Sequence, residues 1–321
     1  MQTAIIFQII AAFAIAAIIA PIFIPFLRRL KFGQSIRKEG PQSHQKKSGT
    51  PTMGGIIFIS SIVLTVVVSV IFDYLTLNHD ILMLLLTLLG YGLIGFVDDF
   101  LIVVRKNNDG LKPLQKVAGQ LTLAAVFFYI FLLNEYSTSL SFFGLFEIQL
   151  AALYGMFILF WMIGFTNAVN LTDGLDGLAG GASVIAFASF GMIGLAQGQM
   201  EIALFCFVVV GALLGFLVFN LNPAKVFMGD TGSLALGATL AAISILLKQE
   251  LVLLVIGLVF VIETFSVILQ VLYFKRTRKR IFKMAPIHHH FELSGWSEWK
   301  TVLVLWSIGL IGGILGLLIA I

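Results

Sequence analysis

Charge is what this sequence has least of. Asp, Glu, Lys and Arg make up only 11% of its residues, against the roughly 25% usual in soluble domains, so the chain cannot cover itself with a solvated polar surface. Cysteine is almost absent as well. Cys206 is the only one and lies inside an apolar run, which excludes an intrachain disulfide and leaves no thiol signature of a redox compartment. No polar stretch is long enough to fold as an inserted soluble domain, so any chemistry takes place at a membrane surface. The short alternating segments of a membrane β-barrel are missing, and so are any long-period repeat and the matched halves of many transporters.

What is there is apolar: 59% of the 321 residues are hydrophobic, and the mean hydropathy is +1.04. A hydrocarbon core about 30 Å thick takes roughly 20 helical residues. Ten stretches reach or approach that length, at 4–27, 54–72, 81–97, 117–133, 150–168, 178–196, 202–219, 232–247, 251–274 and 301–320. The expected fold is all-α, a polytopic integral membrane protein of about ten transmembrane helices forming a single transmembrane domain over 1–321. Nineteen of the twenty Lys and Arg residues fall in loops on one side, within 28–53, 98–116, 220–231 and 275–300, leaving Lys248 alone on the other. Positive-inside bias makes those loops cytoplasmic and puts both termini outside. The first run has Arg28, Arg29 and Lys31 after it and no basic residue before it, the pattern of a retained helix rather than a cleaved signal. The basic run Lys275 to Lys283 reads as the same bias, touching anionic headgroups.

Against this apolar background the polar clusters stand out, and they share the cytoplasmic side. Asn167 to Gly181, NAVNLTDGLDGLAGG, carries Asp173 and Asp176 three apart. A helical turn would place both on one face, where they repel unless a cation lies between them. The alternative is a turn whose Asn and Asp side chains cap helix ends. Asp98 and Asp99 close the 81–97 span, and adjacent carboxylates at a helix C-terminus oppose the dipole and each other unless a cation or proton compensates.

Asp230, followed by Thr231, Gly232 and Ser233, either opens a helix whose N–H groups face an anion and whose carboxylate holds a metal, or simply caps that helix. Lys46 to Gly55 is a basic, Gly-rich stretch suited to phosphate, though not a Walker loop. His288, His289 and His290 are consecutive and point in different directions, which does not match a structural zinc site. Imidazoles contacting phosphate and a surface polar turn are both open for them. Glu263 is the one acid near the middle of a span, either protonated or facing a polar groove. Carboxylates from separate helices beside basic and histidine loops suit Mg²⁺ chemistry on phosphates.

Taken together and in order, GTPTMGG at 49–55, the Asp98–Asp99 pair, NAVNLTDGLDGLAGG at 167–181, FNxxPAxxFMGDTGS at 219–233 and PIHHHFE at 286–292 resemble the polyprenyl-phosphate N-acetylhexosamine-1-phosphate transferases over essentially the whole chain. PIHHHFE resembles the branch whose donor is UDP-N-acetylmuramoyl-pentapeptide. The resemblance implies attack of undecaprenyl phosphate on the donor's β-phosphate, release of UMP, Mg²⁺ as cofactor, and a bacterial cell membrane with the active site on the cytoplasmic face.

Position by position it implies a catalytic group of Asp98, Asp99, Asp230 and His289, with the three aspartates as metal candidates and Asp230 foremost. It implies nucleotide-site positions at Asn170, Asp173, Asp176, Phe227 and Gly229, with polar cleft residues at Lys47, Thr52 and Lys116. His288 and His290 are candidate substrate contacts. Ile102 departs from the pattern, since many relatives have a lysine there; Arg105 or Lys106 could substitute. The expected partners are donor, lipid acceptor and membrane lipids, with a homodimer allowed and no nucleic acid. A GlcNAc-1-phosphate transferase and a membrane transporter are the competing readings.

Overall fold

A computed structural model describes residues 2–29, 47, 49–105 and 110–321; Lys31, Lys46 and Lys106 lie outside the described residues. The helices are α1 Gln2–Arg29, α2 Gly55–Ile71, α3 His79–Arg105, α4 Pro113–Leu133, α5 Ala152–Thr172, α6 Leu178–Ala196, α7 Met200–Asn220, α8 Gly229–Leu246, α9 Val252–Ile256, α10 Leu258–Thr277, α11 Ile287–Leu293 and α12 Glu298–Ala320. A hairpin of β1 Ser139–Phe142 and β2 Phe146–Gln149 joins α4 to α5, with Ser139 opposite Gln149. Among the described residues nine helices are long and apolar enough to cross a membrane, and α2, at 17 residues, is a shorter apolar tenth. The chain is an all-α, multi-pass membrane protein.

The helix at the centre of the bundle is α8. Every residue from Thr231 to Leu246 is buried, and α3 and α5 pack against it. Its run of Gly, Ala, Ser and Thr supplies the small side chains that let helix backbones approach where lipid offers no hydrophobic drive between helices. Gly95 of α3 shows the closeness: a Cβ there would lie 2.1 Å from the Asp230 carbonyl oxygen. At the bundle's edge α1 turns Ile6, Ile10, Ile18 and Ile22 outward, as a lipid-facing helix should.

Three expectations need correction. The 81–97 span runs on to Arg105, so Asp98 and Asp99 sit inside α3 and not at its C-terminus. The 251–274 span is broken at Gly257 into the single turn and a half of α9 and the longer α10. The segment holding the three histidines is helical from Ile287, not a loop.

The hairpin explains the lone basic residue on its side of the membrane. Lys248 Nζ donates to the carbonyl oxygens of Ser137, at 3.1 Å, and Ser139, and to Tyr154 Oη at 3.0 Å, and it lies 3.3 Å from the buried Glu250 carboxylate. Tyr136 Oη donates to Asp80. Lys248 is thus a tether between the hairpin and the α8–α9 turn.

Candidate active site

At the end of the bundle away from the hairpin, four segments converge on the start of α8. The backbone of 51–55 pairs with that of 227–228: Phe227 N donates to the Pro51 carbonyl at 2.8 Å, and Gly54 N and Gly55 N donate to the Phe227 and Met228 carbonyls at 2.8 and 2.9 Å. Gly55 is needed for this approach, since a Cβ on it would lie 2.3 Å from Gly232 N. The pairing sets Thr52 and Phe227 next to the first turn of α8.

Asp99 then caps that turn from outside. Its carboxylate accepts Asp230 N at 3.1 Å, Thr231 N at 3.0 Å and Thr231 Oγ1 at 2.7 Å. The two N–H groups are orphan donors of a helix N-terminus, where negative charge is favoured by the dipole. The C-terminal dipole penalty expected for Asp99 is replaced by its opposite, and the cap expected of Asp230 is made by another helix. Asp230 is left free to point into the site.

Around Asp230 the partners come from two more helices. Lys116 Nζ of α4 donates to Asp230 Oδ2 and lies 3.9 Å from Asp98 Oδ2. Asn170 Nδ2 of α5 donates to Asp230 Oδ1 at 2.7 Å and to Ser233 Oγ at 2.9 Å. Asp98 is buried and accepts Leu111 N at 2.8 Å. Asp173, in the turn after α5, is pushed up to about 7, first by burial and then by the negative charge of Asp230. Among the described residues Asp98, Asp99 and Asp230 thus share the single Lys116 ammonium, with Asp173 beside Asp230. Such a charge deficit, with hard oxygen donors, is what a divalent cation relieves.

Among the described residues no three His, Cys, Asp or Glu side chains are arranged to hold a metal by themselves. The donor set fits Mg²⁺ in the mode that takes one or two carboxylates and leaves other positions to substrate phosphate and water. Asp98 and Asp230 flank the Lys116 ammonium and are the candidates. Asp99 fits less well, because its oxygens are already engaged by the α8 N-terminus.

Asp173 and Asp176 do not share a face, because 173–177 is a turn rather than helix. Asp176 points away, into a second cluster. Lys47 Nζ donates to Asp176 Oδ1 at 2.7 Å and to Glu298 Oε1 at 2.5 Å. Asp176 Oδ2 accepts Asn222 Nδ2 and Ala224 N, both at 3.0 Å. Glu298 also accepts Asp176 N at 2.8 Å and Asn222 Nδ2 at 2.8 Å. The cluster joins the first loop, the Asp173 turn, the segment before α8 and the start of α12.

The sequence reading did not pick out Glu298 or Asn222. Glu298 fell just before the expected 301–320 span, and its signal was the Ser297–Glu298 start of a helix, with Ser297 Oγ accepting Lys300 N. The histidines separate as expected. His288 is buried against Glu263, His289 Nδ1 lies 2.9 Å from Glu292 Oε2, and His290 Nδ1 accepts Lys283 N at 3.1 Å. Arg105 Nη1 donates to the Gly110 carbonyl.

Comparison with known proteins bears on what this arrangement does. The family model described as "Glycosyl transferase family 4" matches residues 81–248, and "Phospho-N-acetylmuramoyl-pentapeptide-transferase signature 1" matches 47–59. The chain is similar to proteins named phospho-N-acetylmuramoyl-pentapeptide-transferase. One from Staphylococcus epidermidis is 56% identical over 317 residues, covering 97% of this chain and 98% of the relative. One from Staphylococcus haemolyticus is 56% identical with the same coverage, and one from Staphylococcus aureus is 56% identical with 97% of each covered.

Proposed function

The chain belongs to glycosyl transferase family 4 and, within it, to the phospho-N-acetylmuramoyl-pentapeptide-transferases, and from that membership we propose that it moves phospho-N-acetylmuramoyl-pentapeptide from the UDP conjugate to undecaprenyl phosphate. The products are the lipid-linked pyrophosphoryl sugar-peptide of peptidoglycan synthesis and UMP. An oxygen of the lipid phosphate forms a bond to the donor β-phosphorus. The bond from that phosphorus to the oxygen bridging it to the α-phosphorus breaks, and UMP leaves with that oxygen.

The observation that carries the reading is the placement of Asp98 and Asp230 on either side of Lys116, with Asp173 beside Asp230, at one end of the bundle next to a Gly-rich lead-in and the histidine helix. Mg²⁺ bound by Asp98 and Asp230 would neutralise charge on the reacting phosphates. The chain's own residues do the rest. Asn170 and Lys116 fix the Asp230 carboxylate and Asp99 fixes the turn that carries it; the family resemblance assigns Lys47 to the polar lining of the cleft and Phe227 to stacking near the donor's uracil.

Asp98 is a candidate base toward the lipid phosphate. That monoester has its second pKa near ~6 and is mostly dianionic at pH 7, so orienting the acceptor is an equal role for Asp98. A pH dependence of the rate that is unchanged in Asp98→Asn argues against the base. The positive-inside count supports a cytoplasmic location for this end of the bundle.

The deciding experiment is UMP release by purified protein given both substrates, with Mg²⁺ and then with chelator. Release that requires donor, lipid and metal supports the reading. Release with UDP-N-acetylglucosamine in place of the pentapeptide donor moves the chain to the other branch, and no release with either donor overturns it.

A further inference from the structure

Glu263 takes no part in the reaction described above, yet it is a fully buried acid within the apolar span of α10. An uncompensated carboxylate in such a place is costly, and a specific partner is the usual answer. The partner is His288, itself 1% exposed, whose Nδ1 lies 3.0 Å from Glu263 Oε2. The other edge of the ring, Nε2, has no hydrogen-bond partner and is fully enclosed. It abuts Gly174, in the turn between Asp173 and Asp176, where a Cβ would come within 2.2 Å of Nε2. Only glycine lets the ring seat there. The neighbouring His289 ring sits with its centroid 4.2 Å from that of His288 and turns toward Glu292.

Resting on the transferase reading, we propose that Glu263 and His288 form a buried latch that positions the histidine helix α11 for the reaction. Glu263 holds the Nδ1 edge of His288, the ring locks against the Asp173–Asp176 turn, and His289 is thereby fixed relative to Asp173. Glu263 is a positioning residue. His288 acts through its Nδ1 edge rather than by touching the donor, as carboxylates elsewhere set the orientation and tautomer of a working histidine.

The test uses steady-state UMP release by the full chain. In Glu263→Ala, kcat falls by about 10- to 100-fold, the usual cost of losing an orienting carboxylate, while KM for the nucleotide donor moves far less. At position 288 the two amides separate the roles, since the Asn amide nitrogen falls near the place of Nδ1 and the Gln amide nitrogen near that of Nε2. His288→Asn is expected to retain at least about ten times the kcat of His288→Gln, a tenfold ratio being about 1.4 kcal/mol of barrier.

Equal or reversed activities of the two variants overturn the latch, as does a Glu263→Ala kcat within threefold of the unaltered chain. Glu263→Met, which nearly keeps the side-chain volume but has no oxygen to meet the Nδ1 edge, serves the same measurement where the alanine variant does not fold. Failure of the unaltered chain to release UMP from either donor is a different result and removes the transferase reading itself.

Discussion

Replacing Glu298 by alanine tests whether the Lys47–Asp176 cluster is a built part of the donor site. The Glu298 carboxylate accepts three hydrogen bonds, from Lys47 Nζ, Asp176 N and Asn222 Nδ2. Lys47 and Asn222 each keep Asp176 as a second partner. The Asp176 N–H keeps none, and an orphaned buried donor costs about 1–3 kcal/mol. Two weakened charge-assisted bonds add to this, for a total of roughly 3 kcal/mol.

If half of that penalty falls on the geometry that meets the donor, KM for the UDP conjugate rises about tenfold, since about 1.4 kcal/mol is a factor of ten. The assay is the initial rate of UMP release against donor concentration, run on Glu298→Ala, Lys47→Ala and the double variant. The two single changes are expected to be non-additive by about 1 kcal/mol or more, because they share one network. Additive effects, or a Glu298→Ala protein with unchanged KM and unchanged thermal midpoint, refute the argument.

Other perturbations follow from the same geometry. Asp173 has its folded-state value near 7, above the ~3.9 of an unfolded Asp, so the folded state binds more protons between these values. Its stabilising protonation is complete below about pH 4 and is lost as pH rises through about 7; thermal midpoints of the metal-free protein should fall over that window, with a shallower fall in Asp173→Asn. Gly95→Ala drives a Cβ into the Asp230 carbonyl, and overpacking of this kind costs about 1–3 kcal/mol; kcat should fall with it, whereas full activity and an unchanged midpoint would contradict the close contact of α3 and α8. Lys248→Ala frees the hairpin from its tether, so amide exchange across 137–150 should quicken while UMP release is unchanged; unaltered exchange would show that the tether holds nothing.

The fold class was legible in the sequence because a bilayer imposes its own ruler. Runs such as 202–219 are apolar over their whole length, and only a membrane-spanning helix satisfies twenty successive backbone amides in hydrocarbon. The break at Gly257 was hidden, because the residues on both sides of it are equally apolar. The extension of α3 to Arg105 was hidden by its carboxylates, which looked like an ending until α8 supplied the donors that Asp99 accepts.

Residue types at the site were legible for the same reason that they are rare: Asp98, Asp173, Asp176 and Asp230 stand out where charge is expensive. The sequence by itself therefore determined a membrane-embedded helical bundle, its polar positions and, through the order of its motifs, a family. Only the tertiary structure decided how those positions divide. Asp230 faces Lys116 and Asn170, Asp99 caps a neighbouring helix, Asp176 joins Lys47 and Glu298, and Glu263 meets His288. These pairs are separated by 25 to 132 residues along the chain, and no local periodicity encodes which helix ends meet. Small residues on α8 and glycines at the crossings set that approach, and the approach chooses the partner of each charge.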